Sequence, residues 1–353
     1  MNHFPSQLAV NLGSRCNRAC SHCYVAVNQG PPIAIPFEDL RAGIDCFLSR
    51  APAPAGISFS GGEPLLHFPQ LQRAIRHIRG RGGRGVTVRV LTNGTLLSQR
   101  HVEFFRTQGV DVVWGLHAGV DSVPSAGRLS REKIAGSHAN LVLGPKTMPA
   151  LLKSVDFLYR SGFRKMTLAL DFSALWTAED AARLAAALQG LRRYCRALAR
   201  RGTGPLEITN GAEAAAASGS GPEDDRARCP VLVLGADGLF YACDKMFGLR
   251  PDLLRPWNVG SANDGLEMEG RDAFFREAEE FVGAASGRFQ SSQGQCRCAL
   301  GGYALWRFSL TRAFPLSVWI EGFDRATEAF ARAWRDFGRE LPTADRGLVQ
   351  ETP

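Results

Sequence analysis

Three cysteines in the first twenty-five residues are the strongest chemical signal in the chain. Cys16, Cys20 and Cys23 are spaced Cys-x3-Cys-x2-Cys, within CNRACSHCY. A cubane iron–sulfur cluster fully ligated by protein takes four thiolates, so three leave one iron open to a small chelating ligand. Zinc is the other metal to consider, with His22 as a fourth ligand. But structural zinc draws its ligands as spaced pairs, and His22 adjoins Cys23, so iron–sulfur chemistry is the better reading. Four more cysteines, Cys229, Cys243, Cys296 and Cys298, make a second group of the size a complete cluster needs. Tetrahedral zinc would accept the same four, and that alternative stays open. Cys46 and Cys195 stand alone inside helical patterns and read as small core residues.

The remainder of the chain must position these thiols. It has 353 residues, is 45% hydrophobic and 22% charged, and has a mean hydropathy of −0.12. Such a composition excludes a collagen-like or wholly disordered chain, and its length allows one large domain or two ordinary ones. No run of apolar residues is long enough to span a membrane. Met1–Pro5 carries no signal-peptide pattern. Nine cysteines, an odd number without such a signal, argue against a disulfide framework and for a reducing, cytoplasmic setting.

Strand and helix signals alternate through the first half. Strands are predicted at 7–12, 57–60, 86–92, 110–116, 141–143 and 165–171. Helices are predicted at 36–49, 69–78, 98–108 and 149–160. Repeated strand–helix units with short connections mean a parallel sheet covered by helices, and about six such units fit a partial barrel. Thr177 opens a long helix running to Arg201, with Asp180 completing a capping box. Residues 211–221 are a small-residue, low-complexity stretch. Ala236-Asp237-Gly238 between two apolar runs predicts a hairpin. Residues 285–295 read as a loop and 324–337 as an amphipathic helix.

Two further motifs follow strands: Gly61-Gly62-Glu63-Pro64 after the second and Thr92-Asn93-Gly94 after the third. With Cys16, Cys20 and Cys23 they resemble the radical S-adenosylmethionine (SAM) enzymes over residues 7–200. The resemblance implies an α/β fold, a partial (β/α)6 TIM-like barrel, with a 4Fe–4S cluster on the three cysteines and SAM chelating the open iron. It implies that the Gly61–Pro64 turn binds the amino group of SAM. Paired glycines let backbone approach closely, and Glu63 offers an acceptor to a cationic amine. Thr92 and Asn93 are carried over as cofactor-binding residues. Where relatives carry Ser and Asp after the fourth strand, this chain has Gly115 and His117. His117 becomes a candidate polar contact to SAM, or a strand-end histidine bonded to backbone.

Residues from Cys229 through the hairpin to Cys243, with Trp257-Asn258-Val259-Gly260-Ser261, resemble the SPASM or twitch extension of the same enzymes, where downstream cysteines hold auxiliary clusters. A full SPASM domain would carry about three more cysteines than this chain supplies after Cys243. One auxiliary 4Fe–4S cluster is the expectation. The implied division is a barrel at 1–201, a linker at 202–228, a small cysteine-rich α+β extension at 229–310, and a C-terminal helix and tail at 311–353.

The implied activity is reductive cleavage of SAM to a 5′-deoxyadenosyl radical, which abstracts hydrogen from a peptide or protein side chain. A sugar, nucleoside or aminoglycoside intermediate is the alternative substrate. A degenerate electron-transfer partner is the non-enzyme alternative. Asp244 is a candidate base for a substrate radical. A flavodoxin- or ferredoxin-type protein would donate the electron. The net charge is 42 − 34 = +8. A three-thiolate cluster at roughly −1 and a four-thiolate one at roughly −2 would bring it near +5, so neither nucleic acid nor membrane is an expected partner.

Overall fold

The computed structural model describes residues 4–20, 23, 32–82, 85–117, 134, 136–171, 174–202, 204–208, 230–243, 246, 257–286, 318, 321–323, 325–330 and 332–333. Asp244, Cys229, Cys296, Cys298 and His22 lie outside them. So do the low-complexity stretch at 211–221 and most of the loop expected at 285–295.

Seven parallel strands form the body of the sheet: β1 Gln7–Asn11, β2 Gly56–Ser60, β3 Thr87–Thr92, β4 Val110–His117, β5 His138–Leu143, β6 Lys165–Leu170 and the short β7 Glu207–Ile208. They lie side by side in chain order. The helices between them are α1 Phe37–Leu48, α2 Phe68–Gly80, α3 Gln99–Thr107, α4 Leu151–Arg160 and α5 Ala178–Arg200. This is the α/β partial barrel expected from the sequence, with boundaries within three residues of those predicted.

Period-two patterning explains the layering. In β3, Val88, Val90 and Thr92 are buried while Thr87 and Arg89 are exposed. In β5, Ala139, Leu141 and Leu143 are fully buried and His138, Asn140 and Val142 only partly. The buried set packs with the apolar stripes of the helices, such as Leu71, Ala74, Ile75 and Ile78 of α2. Each such Leu, Ile or Val contributes about 1.5–3 kcal/mol when fully buried. The opposite face stays accessible and polar, with Ser58, Ser60, Asn140 and Thr167 partly exposed along it.

The predicted capping box holds. Asp180 N donates to Thr177 Oγ1 at 3.1 Å, and Thr177 N donates to Asp180 Oδ2 at 2.9 Å. The predicted hairpin also forms. β8 Val231–Leu234 and β9 Leu239–Tyr241 pair antiparallel across Asp237-Gly238, with Gly238 at φ +78°.

Four features were not read from the sequence. β7 lies within 202–228, expected as a linker, and pairs parallel with β6. β8 pairs parallel with β1, Gln7 opposite Val231, so the hairpin continues the barrel sheet. β10 Asn258–Ser261 and β11 Gly265–Leu266 extend it further, to eleven strands among the described residues. And α6 Glu269–Ser286 follows, anchored by the fully buried Phe274 against Trp257.

Candidate functional site: the strand ends of β1, β2 and β3

The three cysteines lie on the loop that leaves β1, beside the C-terminal ends of β2 and β3. Open α/β sheets place their ligand sites at these ends. The loop is tied down before it reaches the first cysteine. Leu12 N donates to Ser60 O at 3.1 Å, and Gly13 N to the Asn11 side chain at 3.0 Å. Ser14 N donates to Ile33 O at 3.0 Å, and Ile33 N returns a bond to Ser14 Oγ at 3.1 Å.

The Gly61–Pro64 turn forms the other wall. Gly62 N donates to Gly13 O, and Glu63 N to Arg15 O, both at 2.8 Å. A Cβ on Gly62 would sit 2.0 Å from Arg15 O, and one on Gly61 would sit 2.2 Å from Asn11 Oδ1. Gly61 also adopts φ +123°, a region that favours glycine. The paired glycines are therefore required by the cysteine loop, whose backbone lies directly against them.

Glu63 is held in place by protein donors. It is 1% exposed, and its carboxylate faces protein donors. Leu65 N and the Thr92 hydroxyl donate to Oε1 at 3.1 and 2.6 Å, and Asn93 N donates to Oε2 at 2.9 Å. Burial pushes its carboxyl above the ordinary range, with the three hydrogen bonds opposing. Glu63 thus locks the end of β2 to the end of β3, and Thr92, 2% exposed, is the other half of that lock. Pro64 follows as the first residue of a single 3-10 turn, Pro64–His67. Gly94, at φ +75°, closes the β3 turn where a Cβ would strike the Trp114 ring at 2.3 Å.

The thiols themselves differ. Cys16 is exposed, while Cys20 and Cys23 are half-buried and joined by a Cys23 N to Cys20 O bond of 3.1 Å. Burial pushes the Cys20 thiol up, Arg18 opposes, and the neighbouring Cys23 and Cys16 add to the rise. Cys16 Sγ accepts the Arg18 backbone N–H at 3.4 Å and the Asn93 amide at 3.8 Å. Asn93, expected to bind cofactor directly, has its side chain turned to the cysteine loop. Asn17 and Thr95 join it there and were missed in the sequence (Asn17 lies between two of the cysteines, and Thr95 directly follows the Thr92-Asn93-Gly94 motif).

Elsewhere, His117 is the last residue of β4 and pairs with Val142. Cys243, just after β9, is 7% exposed and packs in the apolar core. Cys195 is equally buried on α5, and burial pushes its thiol up to about 11. Cys46 is half-buried on α1. Both fit the core role expected of them.

Geometry thus defines an α/β protein with a thiol-rich site at the strand ends. Residues 10–168 match the family model described as the Radical SAM superfamily. The match takes in the cysteine loop, the Gly61–Pro64 turn and the Thr92–Gly94 turn, so this part of the chain is similar to a radical SAM domain. A serine-type anaerobic sulfatase-maturating enzyme of Klebsiella pneumoniae is 26% identical over 155 residues, 42% of this chain and 36% of that protein. The antilisterial bacteriocin subtilosin biosynthesis protein AlbA of Bacillus subtilis is 28% identical over 126 residues, 35% and 26% of the two chains. The aligned part is about a third of the length of these curated relatives.

Among solved structures, a histidine-tagged anSMEcpe with bound AdoMet superposes with a TM-score of 0.68 at 17% identity, covering 98% of both chains. Streptococcus suis SuiB bound to precursor peptide SuiA gives 0.51 at 17%, covering 69% and 61%. The fold is therefore shared with these structures.

A radical SAM domain takes SAM and a 4Fe–4S cluster, and the residues present fit them. Among the described residues, no three His, Cys, Asp or Glu side chains close around a single ion. Three thiols spread over a loop suit a cluster that takes each on a separate iron. Two N–H donors already converge on the Cys16 sulfur, an arrangement suited to a thiolate ligand.

Proposed function

We propose that this chain reductively cleaves SAM and uses the resulting radical to take hydrogen from a peptide or protein side chain. The observation that carries this reading is the seating of the cysteine loop on Gly61–Glu63, which holds three thiols at the mouth of an accessible sheet face. Cys16, Cys20 and Cys23 would hold the cluster, and the backbone of Gly61, Gly62 and Pro64 would border SAM. When bound, the cluster supplies one electron to SAM, releasing methionine and a 5′-deoxyadenosyl radical.

The chain's own contribution is positional. Glu63 and Thr92 fix the relative height of β2 and β3. The polar inner face, with Ser58, Ser60, Asn140 and Thr167, gives a substrate room and hydrogen-bond partners. His117, the last residue of β4, is assigned a polar contact to SAM. A peptide substrate is supported by the relatives' names: a sulfatase maturase, a bacteriocin biosynthesis protein, and solved complexes with the Cp18Cys peptide and with SuiA. We assign Cys229, Cys243, Cys296 and Cys298 to one auxiliary cluster, Asp244 to the base beside it, and the electron supply to a flavodoxin or ferredoxin in the cytoplasm.

The test is anaerobic incubation of the reduced, reconstituted protein with SAM and either the deuterated Cp18Cys peptide or deuterated sugar and nucleoside substrates. Deuterium recovered in 5′-deoxyadenosine, with a matching mass change in a peptide, supports the reading. Cleavage stimulated by sugar or nucleoside substrates and never by peptides moves it to small molecules. Absence of 5′-deoxyadenosine from cluster-loaded protein overturns it.

A further inference from the structure

A closed ring of side-chain bonds joins the cysteine loop to the turn after β3. Asn17, between Cys16 and Cys20, donates Nδ2 to Thr95 Oγ1 at 2.7 Å. Thr95 Oγ1 donates to Asn93 Oδ1 at 2.6 Å, and Asn93 Nδ2 donates to Asn17 Oδ1 at 3.0 Å. The backbone N–H of Thr95 also donates to Asn93 Oδ1, at 3.0 Å. A backbone N–H can only donate, so it fixes which end of the Asn93 amide faces it. Nδ2 must then face the cysteine loop, and its second hydrogen is directed at Cys16 Sγ, 3.8 Å away.

The ring is exposed. A neutral thiol is a weak acceptor and gains little from two N–H donors. A thiolate bound to iron gains more, and gains most when the cluster is reduced and its sulfurs carry more negative charge.

We propose that Asn93 is a positioning residue for the 4Fe–4S cluster. Its amide holds the Cys16 sulfur in ligand position and raises the reduction potential of the cluster. The Asn17–Thr95–Asn93 ring keeps the loop in shape for iron to enter. This rests on the radical SAM reading of the three cysteines, and the experiment separates the two.

Full-length wild type, Asn93→Ala, Asn93→Asp and Thr95→Val are reconstituted anaerobically without SAM. Iron content, the rate of cluster formation, and the potential from an EPR-monitored redox titration are then measured. Asn93→Ala is expected to load iron and titrate at a more negative potential than wild type. Asn93→Asp keeps an acceptor for both Thr95 bonds while removing both donors, so it covers the case in which the alanine variant does not fold. Its added charge should place its potential lowest of the four. Thr95→Val leaves the Asn93–Cys16 contact, so it should slow cluster formation several-fold with a smaller shift in potential. A loaded Asn93 variant at the wild-type potential overturns the tuning role, and Thr95→Val loading at the wild-type rate overturns the shaping role. A wild type that forms no cluster would instead overturn the radical SAM reading.

Discussion

The two cysteine groups both read as cluster ligands in the sequence, and their described members differ as structure. The first lies on a loop whose backbone is bonded to three neighbouring segments, with glycines where that backbone passes closest. Its sulfurs are reachable, and one already has N–H donors aimed at it. The described member of the second group, Cys243, lies just after a hairpin strand and is packed among apolar side chains, 7% exposed. A thiol so placed fits a core residue as readily as a cluster ligand. The difference teaches that ligand count alone does not define a metal site. What distinguishes the first group is its setting: a loop fixed by backbone hydrogen bonds, with glycines at the closest approach and donors on a ligand sulfur.

Single substitutions can break this comparison or sharpen it. The largest contrast is between Cys20→Ala and Cys243→Ala. Cys20→Ala should abolish SAM cleavage to the detection limit, because two thiolates cannot hold the cluster with one iron open. Cys243→Ala should retain 5′-deoxyadenosine formation in the absence of substrate. If the second group holds a cluster, it should lose about four irons per chain. If Cys243 is only a core residue, iron is unchanged and the melting temperature falls slightly.

Gly62→Ala is next. Its Cβ would meet a backbone oxygen at 2.0 Å, which cannot swing aside as a side chain would. Overpacking of this kind costs about 1–3 kcal/mol. The loop should shift, so iron loading should fall more than thermal stability does.

Glu63→Gln is smaller. Oε1 and Oε2 both accept from fixed donors, and glutamine must set an NH2 against one of them. One lost bond and one unsatisfied donor cost about 1–3 kcal/mol in chemical denaturation. The loss should be similar with and without the cluster, since Glu63 binds protein.

The smallest contrast is in reactivity. In iron-free protein, iodoacetamide at pH 8 should label exposed Cys16 quickly and leave Cys195 almost untouched, as burial raises its thiol to about 11. Rapid labelling of Cys195 would remove it from the core.

The sheet was legible because its strands alternate cleanly and its helices carry regular stripes. Thr177 and Asp180 were legible because a capping box depends only on residues three apart. Glu63 was legible as a site residue, but the protein partners of its carboxylate were not. Which way its carboxylate points is decided by Thr92 and Asn93, about thirty residues away in sequence. The ring of Asn17, Asn93 and Thr95 was hidden for the same reason, since it joins two loops. The pairing of β8 with β1 spans more than two hundred residues and leaves no local mark. α6 was missed because Glu269–Ser286 mixes acids, glycines and alanines without a strong stripe.

The central claim is that the Cys16–Cys20–Cys23 loop holds a SAM-cleaving cluster. Its most direct measurement is the yield of 5′-deoxyadenosine from dithionite-reduced, reconstituted wild type given SAM alone, beside Cys16→Ala handled identically. The account predicts 5′-deoxyadenosine and methionine in equal amounts from wild type and none above background from the variant. Equal yields from both proteins, or none from a wild type carrying its full iron, would contradict it.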